Sequence, residues 1–288
     1  MPTISTTITA CPTATGSSAH SETGRPRPAL LRALGDAEPP STVLVAGDEY
    51  RHVTTFKHDS WAASALYEST GGRRIVCKFN RTQPILGVPM SWLGRVLARR
   101  ERDLLHALAD EPFVPDPCAD VEQAGRVLRH CVAHDFVAGR PLARRAQLAP
   151  EFLPVLSSLV SRIHRRGIAY VDLHKRENIL VGEDGRPYLI DFQISVQLPT
   201  RGPLAVLLRT LQQCDRYHLS KHIRRAAIDR GMPAPAPRDQ GRPWSIRMHR
   251  RVAVPLRTLR RQWLVWIGVR ASGGRADTEA EPEVGALL

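Results

Sequence analysis

Ile163–Ser195 reads IHRRGIAYVDLHKRENILVGEDGRPYLIDFQIS, and the rest of the chain is understood from it. Three oxygen-bearing side chains stand out in it: Asp172, Asn178 and Asp191, the last opening an Asp-Phe-Gln triplet. Between Asn178 and Asp191 lie two apolar runs, Ile179–Val181 and Tyr188–Ile190, joined by Gly182-Glu183-Asp184-Gly185. Two short apolar runs around an Asp-Gly turn read as a β-hairpin. A hairpin returns its ends to one place, so Asn178 and Asp191 are expected side by side. Hard oxygen ligands so placed could grip a Mg2+ pair. Asp172, just upstream, is the candidate base for an attacking hydroxyl. One such residue alone is more simply a strand or turn cap; three around a hairpin are harder to dismiss.

These residues resemble the catalytic core of the protein-kinase-like superfamily, whose loop reads His-Arg-Asp-Leu-Lys-Pro-Glu-Asn and whose metal triplet reads Asp-Phe-Gly. Upstream, Ile163-His164-Arg165-Arg166-Gly167-Ile168 is similar to the Leu-His-x-x-Gly-Ile that precedes that loop. The segment looks most like the bacterial Kdo/lipopolysaccharide-core kinases and the RIO-type atypical kinases. The resemblance implies an α+β, two-lobed protein-kinase-like fold, with a small antiparallel-sheet N-lobe and a reduced helical C-lobe. It also implies ATP and Mg2+. Asp172 would then be the base, Lys175 would steady the γ-phosphate, and Asn178 and Asp191 would hold the metals.

The chain departs from that pattern in three ways. Tyr170 and Val171 replace the His-Arg before the base, so the family's bracing His is absent. Asn178 follows Asp172 by six residues rather than five. The surplus residue fits between Leu173 and Lys175, because Lys175-Arg176-Glu177-Asn178 then aligns with Lys-Pro-Glu-Asn. Gln193 replaces the Gly of the triplet, removing a residue free to take φ > 0 and predicting a stiffer loop.

Upstream, Arg51–Phe56, Ala65–Ser69 and Arg74–Phe79 read as strands, with Gly71-Gly72 as a hairpin turn. Lys78 ends Ile75-Val76-Cys77-Lys78, much as the ATP-anchoring lysine ends Val-Ala-Ile-Lys. A helix is expected over Trp92–Leu108, with Leu93, Val96, Leu97, Leu104, Leu105 and Leu108 on its apolar face. Glu101 is the best partner for Lys78 and Asp103 a weaker one. No Gly-x-Gly-x-x-Gly occurs; Lys57–Ser64 takes that place, with Ser60 or Ser64 offering a hydroxyl to phosphate or simply forming an ordinary loop. Val127–Phe136 reads as a strand running into a hinge, where the backbone of Asp135, Phe136 and Val137 would read adenine. Glu151–Arg165 is an apolar-periodic helix carrying the loop at its end. The expected small lobe has five strands and one helix.

Residues 1–40 are expected to be disordered and 41–270 to form the kinase-like domain: N-lobe about 41–130, hinge about 131–142, C-lobe about 143–270. The acidic tail 271–288 is expected to be loose. Five cysteines with no Cys-x-x-Cys spacing argue against a disulfide framework or a zinc site. No secretory signal is legible and no apolar run reaches the roughly 18 residues of a membrane span, so a cytoplasmic location is expected.

Residues 201–270 hold 16 Lys/Arg against three Asp, a net +13 that equals the charge of the whole chain. Charge concentrated this way seeks anions. Trp244, Trp263 and Trp266 interleave with Arg247, Arg250, Arg257 and Arg260, a composition suited to peripheral contact with an anionic membrane at its inner face. Nucleic acid is disfavoured because no reading module is present. Packing of these aromatics on the catalytic lobe is the plainer alternative. A sugar hydroxyl on a lipopolysaccharide-type glycolipid is the first expectation for the acceptor, a protein Ser/Thr the runner-up. A pseudokinase or scaffolding module is the alternative from another class.

Overall fold

The computed structural model describes residues 28–229 apart from 86, 144 and 145. The Trp/Arg-rich part of the basic region and the acidic tail therefore lie outside the described residues, as do residues 1–27. Within the described residues the chain has the expected α+β, two-lobed architecture. In chain order the elements are β1 (Thr42–Val45), β2 (Asp48–His58), β3 (Ala62–Ser69), β4 (Arg74–Asn80), α1 (Ser91–Ala107), β5 (Val121–Gln123), β6 (Arg126–Val127) and β7 (Cys131–Asp135). There follow β8 (Gly139–Pro141), α2 (Phe152–Arg165), β9 (Ile168–Ala169), β10 (Ile179–Gly182), β11 (Pro187–Leu189), β12 (Val196–Gln197) and α3 (Leu204–Asp229).

The small lobe is a seven-stranded antiparallel sheet in the order β6-β5-β1-β2-β3-β4-β7, two strands more than expected. Strands β1 and β5 were missed because each is short and is defined by long-range pairing rather than by its own pattern. The strand expected over Val127–Phe136 is interrupted: it bends at Arg129-His130 before β7 begins. The sheet then curls on itself, since Cys118 N–H donates to Ala133 O at 3.0 Å and Asp135 N–H to Asp116 O at 2.9 Å. Curling hides the edge of β7 that would otherwise be open to pairing.

Residues 28–40, expected to be disordered, are ordered against this lobe in the described structure, and Ala33 is fully buried. Arg81 ties them down. Its buried guanidinium donates to the carbonyls of Leu30 (2.9 Å), Ser60 (2.6 Å), Gln83 (2.8 Å) and Pro84 (3.2 Å). Burial pulls its pKa below the ordinary arginine value, and four backbone dipoles stand in for a carboxylate.

Helix α1 buries Leu104, Leu105 and Leu108 of the face its leucines suggested, while in its first half Gly94 and Ala98 turn inward and Val96 turns out. Gly94, Ala98, Glu101, Leu104 and Leu105 are buried, whereas Val96 is 45% exposed. The cause is a close approach: a Cβ on Gly94 would lie 2.3 Å from the Arg81 carbonyl oxygen. That contact fixes the rotation of α1 and points Glu101 into the protein. Lower down, Leu104, Leu105 and Leu108 join the large-lobe core with Phe152, Leu156, Leu159, Val160 and Ile163 of α2, so α1 belongs to both lobes. Each such aliphatic or aromatic side chain contributes on the order of 1.5–3 kcal/mol by leaving water.

The expected hairpin is present, with Ile179 opposite Leu189 and Gly185 at φ 73° in the turn. Helix α3 buries Ala205, Leu208, Gln212, Asp215, Leu219 and His222, a three-four spacing along one face. Leu219 and His222 of the basic stretch face inward rather than toward a partner. No helix among the described residues is long and apolar enough to cross a membrane.

Gly94→Ala is expected to destabilise the protein by about 1–3 kcal/mol, because backbone must move to admit the methyl group. Urea unfolding of the two chains measures this; an unchanged midpoint would contradict the account of how α1 is seated.

Candidate active site

Six of the expected site residues converge where the two lobes meet. Lys78, on β4, is buried and its ammonium lies 3.1 Å from Glu101 Oε1 and 2.5 Å from Asp191 Oδ1. Glu101 was the partner expected; Asp103 instead faces solvent and pairs with Arg99. Burial alone would lower the lysine pKa, yet the charges of Asp191 and Glu101 outweigh it and hold the pKa raised. Burial also dominates at Glu101, whose pKa is raised. At Asp191 burial opposes ionisation, but Lys78 wins and the pKa is lowered. The Asp191 contribution to stability is thus present above the ordinary carboxylate pKa and lost as pH falls through its lowered value. The Lys78 contribution is present below the ordinary lysine pKa and lost as pH rises through its raised value. Both hold at neutral pH. Removing one partner of so buried a cluster costs about 3–5 kcal/mol.

The loop Tyr170–Asn178 forms the other half. Asp172 N–H bonds back to Tyr170 O at 2.8 Å around Val171, which sits at φ 69°. This is a tight γ-type turn, and a β-branched residue with positive φ is costly, about 1–3 kcal/mol. The strain is held by Asp215. Its fully buried carboxylate accepts the N–H groups of Tyr170 and Val171, each at 2.8 Å, and lies 3.0 Å from His164 Nε2. Two further buried polar groups of α3 grip the same region. Gln212 donates to His164 O (2.9 Å) and Ile168 O (3.2 Å), and His222 Nε2 lies 2.7 Å from Leu173 O. None of these was foreseen. The signal available was three polar residues at positions 212, 215 and 222, on the spacing that otherwise selects apolar ones.

Asp172 itself is buried. Its Oδ2 takes Lys175 Nζ at 2.8 Å and Asn178 Nδ2 at 3.0 Å, while its Oδ1 makes no hydrogen bond. Burial would depress the Lys175 pKa, but Asp172 beside it leaves the value raised. The residue inserted between Leu173 and Lys175 is His174. Its side chain is 50% exposed, so the loop absorbs the extra link outward without parting Asp172 from Asn178. Asn178 also meets the far end of the hairpin, its carbonyl accepting Ile190 N–H at 3.1 Å beside Asp191.

The family's bracing His is absent as expected, and Tyr170, which stands in its place, touches the Asp-Phe-Gln triplet instead. Its hydroxyl donates to Ile190 O, and its ring meets Phe192 edge-on at 5.1 Å. Gln193 Nε2 donates to Asn80 Oδ1 at 2.6 Å. Asp191 takes φ 62°, a conformation aspartate tolerates.

Other expectations fail in part. Ser60 donates to Leu31 O at 3.1 Å and its carbonyl is held by Arg81, so it is committed to the N-terminal segment rather than offered to phosphate. Asp59 caps that turn by accepting Trp61 N–H (2.7 Å) and Ala62 N–H (3.0 Å). Ser64 stands directly across from Lys78 in the ladder and so shares its sheet face. At the hinge, Asp135 pairs with Arg73 at 2.8 Å and spends its N–H on Asp116. Phe136 N–H goes to Arg74 O, and its ring stacks on Phe56 at 6.4 Å. Neither backbone N–H is left to read a base edge; among the described residues that of Val137 makes no such bond.

The donor set suits a hard divalent cation. Asn178 spends Nδ2 on Asp172, leaving its carbonyl Oδ1, and Asp191 spends Oδ1 on Lys78 and on Gln193 N–H (3.4 Å), leaving Oδ2. Among the described residues no three His, Cys, Asp or Glu gather as a metal site.

No family model matches the chain. Among curated proteins it is similar to Protein kinase PINOID 2 of Oryza sativa subsp. japonica, 34% identical over 110 residues, which is 35% of this chain and 21% of that protein. Among solved structures it is similar to the Rio2 kinase-ADP/Mg2+-phosphoaspartate complex from Chaetomium thermophilum, with a TM-score of 0.46 and 20% identity over 65% of this chain and 57% of that one. Rio2 kinase from the same organism gives a TM-score of 0.44 and 21% identity over 62% of this chain and 57% of that one. The chain thus spans about a fifth of the length of the curated relative it matches and somewhat over half of each solved chain.

Proposed function

We propose that this protein is an ATP- and Mg2+-dependent phosphotransferase that moves the γ-phosphate to a hydroxyl. The observation that carries this reading is the division of labour at Asp172. One carboxylate oxygen is held by Lys175 and Asn178, and the other is buried without a hydrogen bond, an acceptor in want of a donor. An acceptor hydroxyl would supply that donor and be oriented by it. Lys175 would reach from Asp172 toward the transferring phosphoryl group, and Lys78, held by Glu101, would meet the α- and β-phosphates. Asn178 Oδ1 and Asp191 Oδ2 would hold Mg2+. The metal, when bound, would neutralise charge on the phosphate oxygens. Ser64 and the Val137 backbone would lie on the nucleotide side.

The local likeness to a plant protein kinase supports a protein Ser/Thr hydroxyl as the acceptor. The glycolipid and membrane expectations rested chiefly on residues beyond 229, so they enter as arms of the test. Radiolabel from γ-labelled ATP, offered to a basic Ser-rich protein, a delipidated Kdo-type sugar and the whole glycolipid, separates the acceptors. Label in the protein is expected. Label in the sugars alone would overturn that choice, and label in none, with ATP bound, would favour a pseudokinase.

Asp172→Asn should lower transfer by about 10²–10⁴-fold while Mg·ATP affinity stays within a few fold; undiminished transfer would remove Asp172 from its role. Asp191→Asn should abolish the Mg2+-dependent part of nucleotide binding, read by titration calorimetry with and without the metal. Binding that responds to Mg2+ as in the native chain would contradict the metal assignment.

A further inference from the structure

We infer that Lys221 and Arg225, on the edge of α3 that borders the loop Tyr170–Asn178, form a subsite for acidic residues flanking the acceptor hydroxyl. The substrate is then a Ser/Thr segment rich in Asp or Glu. The inference rests on the reading of the site as a phosphotransferase and names the class of acceptor it takes. Helix α3 is seated directly against the loop: His222 Nε2 lies 2.7 Å from the carbonyl oxygen of Leu173, the residue after Asp172. Lys221 immediately precedes His222, Arg225 stands one turn beyond it, and both are exposed. The path from Asp172 to the two cations is on the order of 10–15 Å, the span of three to four extended residues. A peptide whose hydroxyl reaches Asp172 therefore brings its flanking side chains within their reach.

These cations have no carboxylate of their own. Other basic side chains of the protein are paired: Arg73 with Asp135, Arg102 with Asp120, Arg162 with Glu111. Among the described residues neither Lys221 nor Arg225 makes an ion pair. Residues 201–229 hold two acids, Asp215 and Asp229. The first is buried and spent on the N–H groups of Tyr170 and Val171. Like charges one turn apart on a helix repel, and a carboxylate set between them would relieve the repulsion. The field is felt beside the loop. Burial lowers the pKa of His222, and Arg176, Arg225 and Lys221 push it the same way.

A flat anionic surface fits this arrangement less well than a peptide. On a helix of about 3.6 residues per turn Lys221 and Arg225 stand roughly 40° apart, whereas Arg209 and Arg216 lie roughly 120–180° round from them. These four cations therefore do not share one plane that a bilayer could meet. A chain crossing beside the loop meets the two that border it. A Lys-flanked segment would set like charges against the same pair, so discrimination arises from repulsion as well as attraction. The basic Ser-rich protein of the acceptor test is accordingly the weaker kind of protein acceptor.

The test is phosphate transfer from Mg·ATP by the full chain to peptides whose central Ser is flanked by Glu, by Ala or by Lys. In the native chain kcat/KM should be about tenfold higher for the Glu-flanked than for the Lys-flanked peptide, through KM rather than kcat. That ratio should shrink as salt rises. Lys221→Glu combined with Arg225→Glu should invert the ratio toward the Lys-flanked peptide, and Lys221→Gln with Arg225→Gln should bring the two peptides level. A ratio between peptides is insensitive to any loss of folded protein. Equal use of the peptides by the native chain, or a Glu preference that survives charge reversal, overturns this inference alone. So does charge reversal that weakens binding to phosphatidylserine vesicles while leaving the peptide ratio as in the native chain, since the edge would then be a membrane contact. Transfer to a sugar and to no peptide also overturns it but leaves the phosphotransferase reading standing, whereas transfer to no acceptor at all sinks both.

Discussion

A single buried carboxylate sets the loop Tyr170–Asn178. Asp215 accepts two consecutive backbone N–H groups, from Tyr170 and Val171, and so holds a valine at positive φ that would otherwise relax. The resulting turn sets Asp172 beside Lys175 and Asn178. An unpaired carboxylate could not be buried at so low a cost; this one is matched by two donors and by His164. Gln212 and His222 extend the same grip along α3, so the loop lies against a row of polar contacts on a helix otherwise packed through apolar side chains.

The second constraint is the seating of α1. Gly94 lets the helix touch the Arg81 backbone, and that contact orients Glu101 toward Lys78. Arg81 is shared: its carbonyl meets α1 while its guanidinium binds the β2–β3 turn and the segment before β1. The β2–β3 turn, the N-terminal segment and α1 are therefore coupled through one residue. Asp191 closes the circuit by bringing the large lobe to Lys78. The charges at the lobe junction thus order both lobes at once.

Local features were legible before the fold was known. The Asn178–Asp191 hairpin follows from an Asp-Gly turn between apolar runs, and the core face of α2 from its apolar spacing. Lys78 and Glu101 were identified through the resemblance to the kinase-like pattern, which asks for a lysine on a strand and a carboxylate on the helix that follows it. What escaped depends on distance along the chain. Strands β1 and β5 are defined by partners far away, and the inward rotation of α1 is set by the Arg81 backbone rather than by its leucines. Asp215 lay hidden because a basic stretch invites a surface reading. Ser60 and Asp135 were misjudged for the same reason: their partners, Leu31, Arg73 and Asp116, come from other parts of the lobe. His174 was recognised as an extra residue, but its position beside Asp172 Oδ1 emerged only with the fold.

The most direct measurement is a structure of the full chain with Mg2+ and a non-hydrolysable ATP analogue. The account predicts the terminal phosphate between Asp172 and Lys175, metal on Asn178 Oδ1 and Asp191, and Val171 still turned over Asp215. A nucleotide seated away from Asp172, or Asp191 paired with Lys78 and holding no metal, would contradict it.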